Sequence, residues 1–85
     1  MAEGGGVERL ASSIEMQYTY HALSRMRLRR VSEEMVEEAI STPDRMSRGY
    51  GRRQLAFKAF PNRGTLKVVF ARIDDRVVIV TVIWE

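Results

Sequence analysis

The residues best able to do chemistry in this chain fall in Tyr18-Thr19-Tyr20-His21-Ala22-Leu23-Ser24-Arg25-Met26-Arg27-Leu28-Arg29-Arg30-Val31-Ser32, which holds the sole histidine and the densest arginine. His21 and Arg25 are four residues apart, so on a helix they sit one turn above the other, with Arg29 a turn further on. Imidazole changes charge near neutral pH, and guanidinium is a permanent cation with a fork of donors. Together they can bind a phosphate and move a proton. The same residues also have a plain structural use. A histidine near a helix start can cap or pack, and arginines often solvate a face.

The elements that must position them are readable. Thr19 is a candidate N-cap, and Ala22, Leu23 and Met26 recur at helical spacing, which predicts a helix over Tyr20–Arg29. Ser32 is a second N-cap. Glu33 and Glu34 follow in the first turn, where carboxylates favour the positive end of the helix dipole. Met35, Val36, Ala39 and Ile40 form an apolar stripe, and Pro43 ends the helix near Ser41 or Thr42. Beyond Pro43 the pattern alternates. A short edge strand over Asp44–Arg48 is expected, then a turn at Gly49-Tyr50-Gly51 and strands over Arg52–Phe60, Thr65–Ile73 and Arg76–Trp84. Pro61-Asn62-Arg63-Gly64 and Asp74-Asp75 join the last three.

The expected fold is therefore α+β, with two N-terminal helices on one face of a three- to four-stranded antiparallel meander. Residues 18–85 form the single domain, and 1–17 read as a flexible or weakly ordered lead-in. Within that lead-in Val7, Leu10, Ala11 and Ile14 also recur at helical spacing, so a short amphipathic helix is an alternative. If both hairpins close as written, Phe60 opposes Thr65, Lys58 opposes Lys67, and Val68 opposes Thr81. That register points Thr81 toward the helices. It puts Lys58, Lys67, Phe60 and Trp84 on the open face with Val78, Val80 and Val82. The open face would then be an anion site with stacking surfaces, or an apolar patch buried against a partner or a second copy. A one-residue slip would exchange the faces.

Composition narrows the chemistry. Eighty-five residues make one small domain, and the absence of cysteine excludes disulfides and thiolate chemistry. With a single histidine no metal site is expected, and no cofactor. The start lacks the basic-then-apolar pattern of a signal peptide, and the apolar run Val77–Trp84 is too short to span a bilayer, so a cytoplasmic protein with no membrane partner is expected. Net charge is only +3, but base gathers in 25–30 and 45–53 and acid in 33–38. A polyanion such as RNA would meet the basic segments.

The run His21-Ala22-Leu23-Ser24-Arg25-Met26, then Val31-Ser32-Glu33-Glu34-Met35-Val36-Glu37-Glu38-Ala39-Ile40 and Pro43, resembles the small bacterial domain of unknown function 4258, as does the closing strand Val77–Trp84. The resemblance covers about Tyr18 to Trp84. Related sequences commonly have glycine where Arg30 stands, so here the first helix must end without glycine's easy left-handed geometry. The order of elements also looks like that of the RelE and BrnT toxin ribonucleases, which cleave RNA without metal and pair with antitoxins.

That likeness implies an endoribonuclease-like site, in which a ribose 2′-hydroxyl attacks the adjacent phosphate. His21 would be base or acid, Arg25 would hold the phosphate, Lys67 or Lys58 would neutralise charge, and Thr81 would orient a group. Arg29, Arg30, Arg52 and Arg53 would contact RNA, with Tyr50 and Trp84 as stacking surfaces. The second proton-transfer group is missing from the pattern, since nothing in the spacing brings Glu15, Asp74 or Asp75 to the site. Two other readings explain the same residues. One is a nucleic-acid- or protein-binding module without chemistry, and the other is a homodimer joined through the open sheet.

Overall fold

The computed structural model describes residues 15–85; the amphipathic-helix alternative for 7–16 lies outside them but for Glu15 and Met16, which are strand and not helix. In chain order the elements are β1 (Glu15–Tyr18), α1 (Tyr20–Arg29), α2 (Glu33–Ser41), β2 (Arg45–Arg48), β3 (Arg53–Phe60), β4 (Gly64–Ile73) and β5 (Arg76–Trp84). The chain is α+β, with both helices on one face of a sheet in the order β1-β5-β4-β3-β2.

Each helix starts where its cap predicts. The Thr19 hydroxyl accepts from the Ala22 amide at 3.0 Å, and the Ser32 hydroxyl accepts from the Met35 amide at 3.1 Å. α1 ends in a Schellman turn. The Val31 amide donates to the Met26 carbonyl and the Arg30 amide to the Arg27 carbonyl, while Val31 and Met26 close the apolar contact beneath. Arg30 takes the left-handed position of that turn, at φ 56° and ψ 51°. Arginine thus adopts the geometry usually given to glycine.

The sheet differs from the expected antiparallel meander of three or four strands. It has five strands and is mixed, because Glu15–Tyr18 pair in parallel with Arg76–Ile79. Residues 15–17, read from sequence as part of the lead-in, are thus an edge of the sheet. A four-residue strand without β-branched residues leaves no alternating pattern to detect.

Register differs in two places. The β3–β4 turn is a three-residue loop, not four. Pro61 and left-handed Asn62 (φ 66°) make a type II turn closed by the Arg63 amide on the Phe60 carbonyl. Gly64, at φ 114°, is then already opposite Phe60. Lys58 therefore opposes Leu66, Lys67 opposes Phe57, and every β3 side chain changes face relative to the expectation. The β4–β5 turn closes as expected, with Ile73 opposite Arg76 and Phe70 opposite Ile79, but the next pair is Val69 with Thr81. Val80 is the extra residue of a β-bulge, and beyond it the faces of β5 exchange.

The core follows from these two corrections. Ala56, Leu66, Val68, Phe70, Val77, Ile79 and Val82 meet Ala22, Met26, Val31, Val36 and Ala39 of the helical layer, with Phe60 and Trp84 packed alongside. The expected outward row Val78, Val80, Val82 is broken, because Val82 is fully buried under α1. α1 is tied to β5 at both ends. The Thr19 hydroxyl donates to the carbonyl of the bulged Val80 at 3.2 Å, and Arg29 Nη1 donates to the Val82 carbonyl at 2.6 Å.

Candidate nucleic-acid interface

The β2–β3 hairpin gathers cations by its turn geometry. The Arg53 amide donates to the Tyr50 carbonyl, and Gly51 sits at φ 60°, a conformation that favours glycine. The tight reversal throws Tyr50 outward, 92% exposed. On the same hairpin Met46, Ser47, Arg48, Gly51, Arg52, Arg53 and Gln54 line an open groove of about 580 Å³. Arg48, Arg52 and Arg53 are all exposed. Among the described residues the ion pairs are Lys58 with Glu38 at 4.0 Å and Lys67 with Glu85 at 3.2 Å, so no arginine there is paired with a carboxylate. Next to the groove, the Arg45 guanidinium lies 3.8 Å over the centre of the Phe57 ring and covers it.

A second concave surface lies at the end of α1. Leu28, Arg29, Arg30, Arg63 and Trp84 line about 460 Å³ there. Arg63 Nη2 donates to the Arg29 carbonyl at 3.2 Å and to the Arg30 carbonyl at 2.7 Å, and its guanidinium stacks 4.5 Å over Trp84. Trp84 Nε1 also donates to the Arg29 carbonyl, at 2.9 Å, and its ring meets Phe60 edge to face. These donors satisfy carbonyls that a helix end leaves free.

The catalytic set expected from the sequence is divided by the sheet. His21 is exposed in the first turn of α1, with half-buried Arg25 one turn below. Lys67 alternates with core residues Leu66 and Val68, so it points to the face away from the helices, where it meets Glu85. The bulge turns Thr81 to that same far face, opposite Val69 rather than Val68. His21 and Arg25 thus share one surface, and Lys67 and Thr81 another.

The expected RNA contacts separate likewise. Lys58 does not meet Lys67; it reaches up to the Thr42 carbonyl at 3.0 Å, beneath the end of α2. Trp84 is on the helix side of the sheet, where it caps α1, and not on the open face. Arg52, Arg53 and Tyr50 come together at the hairpin, and Arg29 and Arg30 with Trp84 at the second groove. Sequence reading missed Arg48 and Arg63. Arg48 had a signal, since it brackets the Gly49-Tyr50-Gly51 turn with Arg52 and Arg53. Arg63 had none, because its partners on α1 are distant in the chain.

Far from both grooves, the Tyr18 hydroxyl is buried without a hydrogen-bond partner among the described residues. Burial, and secondarily the carboxylates of Glu33 and Glu37, push its pKa up to about 12.

A two-helix layer over a mixed sheet with arginine-lined grooves defines a small basic α+β domain. The sequence profile of the domain of unknown function DUF4258 matches residues 18–84, and the chain belongs to that family. No curated protein and no solved structure matches the chain.

Proposed function

We propose that this domain binds single-stranded RNA through the β2–β3 hairpin. The observation that carries this reading is the set of exposed guanidiniums of Arg48, Arg52 and Arg53, none paired with a carboxylate among the described residues, on the same turn as the outward Tyr50 ring. Guanidinium forks suit phosphate oxygens, and a projecting phenol ring offers a face on which a base can stack. Among the described residues the carboxylate ion-paired with this hairpin is Glu38 of α2, on Lys58 toward the end of β3 remote from the turn, so the arginines of the turn keep their charge. The test is fluorescence anisotropy of a labelled mixed-sequence RNA titrated with protein at several salt concentrations. Replacing Arg48, Arg52 and Arg53 by alanine is expected to weaken binding at least tenfold and to flatten its salt dependence.

A second reading, a metal-independent ribonuclease, is favoured by one observation: exposed His21 stands one helical turn from Arg25. There the 2′-hydroxyl oxygen would bond to phosphorus, the bond to the 5′-oxygen would break, and His21 would move a proton. Incubating the RNA in EDTA with the wild type and with His21→Ala tests it. A 2′,3′-cyclic phosphate product lost in the variant supports chemistry at His21, and intact RNA beside salt-sensitive binding leaves the binding module.

A further inference from the structure

We infer that the groove at the end of α1 is a nucleotide site that holds one phosphate between Arg29, Arg30 and Arg63 and a base against Leu28 and Trp84. It deepens the RNA-binding reading where the nucleotide belongs to an RNA, and stands without it where the nucleotide is free.

Capping the helix needs donors for carbonyls, and it uses few of those present. Arg63 serves the Arg29 and Arg30 carbonyls through Nη2 alone, and Arg29 serves the Val82 carbonyl through Nη1 alone. No hydrogen bond among the described residues uses their remaining nitrogens or the Arg30 side chain. Both anchored guanidiniums are held in place by neutral acceptors, so their charge is undiminished and their orientation is set before a ligand arrives. The negative end of the α1 dipole, which would repel a phosphate, is covered by Arg63 and Trp84 Nε1 on the Arg29 carbonyl. Three arginines line one groove, and among the described residues none is paired with a carboxylate, an arrangement that an anion relieves.

The walls select the anion. Leu28 is 66% exposed on α1, and the half-buried indole of Trp84 forms the other side. Arg63 covers one face of that indole, so inorganic phosphate would leave Leu28 and the rest of the indole surface wet, whereas a planar base covers them.

Trp84 is the sole tryptophan, so its fluorescence reports this groove directly. The probes are AMP, adenosine and a short single-stranded RNA, titrated into the full chain. The variants are Arg30→Gly, which removes a guanidinium without a hydrogen bond among the described residues, at a left-handed position glycine accepts, and Leu28→Ser. Saturable quenching by AMP, weakened at least fivefold by either substitution and absent with adenosine, is the expected result. Quenching by RNA but not AMP, lost in Arg30→Gly, also supports the site and identifies its source as a polynucleotide. No saturable quenching by either, or quenching indifferent to both substitutions, overturns the proposal. The Arg48, Arg52, Arg53 triple-alanine variant separates the two claims. It should lose RNA affinity yet keep AMP quenching, and AMP quenching without any RNA binding would leave this site standing while the hairpin reading fails.

Discussion

At the residue scale, two side chains sit where simple rules place something else. Arg30 occupies the left-handed position of the α1 Schellman turn, where a residue with a Cβ costs roughly 1–2 kcal/mol more than glycine. Glycine is more flexible when unfolded, which returns part of that gain. Arg30→Gly should therefore stabilise the fold by about 0.5–1 kcal/mol, read as a rise in Tm of several degrees. Tyr18 is the second case. Its hydroxyl is buried without a partner among the described residues, so Tyr18→Phe should be neutral to about 1 kcal/mol stabilising at pH 7 by denaturant titration.

The Tyr18 pKa fixes the sign of a pH effect. The folded value of about 12 exceeds the ordinary value of 10.0, so the folded state holds this proton more tightly than the unfolded chain. Its contribution is complete below pH 10.0 and is lost as pH rises toward about 12. Alkaline unfolding curves of wild type and Tyr18→Phe should diverge across that window, with the wild type losing more stability.

At the element scale, the caps carry unequal loads. The Ser32 hydroxyl has one partner, the Met35 amide. The Thr19 hydroxyl accepts from Ala22 and also donates to the carbonyl of Val80, the bulged residue. Ser32→Ala should cost about 1 kcal/mol by denaturant titration, and Thr19→Ala about 2, since its loss also strands a part-buried carbonyl. The bulge and α1 are in this sense one device: Thr19 holds the carbonyl of the bulged Val80, and Arg29 that of Val82 just beyond it.

The same elements show how far the sequence can be read. Both helices were legible because Thr19, Ser32 and Pro43 are local signals whose physics acts within a few residues. The ends of β5 were legible for the same reason. β1 was not, because Glu-Met-Gln-Tyr becomes a strand through a parallel partner far along the chain. The β3 register turned on whether Gly64 belongs to the loop or to the strand, which its pairing with Phe60 decides. The β5 register turned on one inserted valine in a run of valines and isoleucines, where either face looks apolar.

At the scale of the whole molecule, charge is sorted by element more than it is unbalanced. α2 carries Glu33, Glu34, Glu37 and Glu38, while the hairpin and the end of α1 carry arginines without carboxylate partners among the described residues. The sequence located these basic segments but joined them wrongly, uniting Lys58, Lys67 and Trp84 through registers that the three-residue turn shifts for Lys58 and the Val80 bulge shifts for Trp84. The hairpin cluster was within reach because Arg52, Arg53 and Tyr50 are neighbours in the chain. The α1 groove was not, because it needs Arg63 and Trp84 brought to a helix end by tertiary packing.

The central claim, that the β2–β3 hairpin grips single-stranded RNA by its phosphates, is tested most directly by the salt dependence of anisotropy for wild type and the Arg48, Arg52, Arg53 triple-alanine variant. Each single-strand phosphate left without its arginine should make the slope of log affinity against log salt shallower by about 0.7. The account predicts salt-sensitive binding by the wild type and a slope about 2 units shallower in the variant. Equal affinity and equal slope for the two proteins would contradict it.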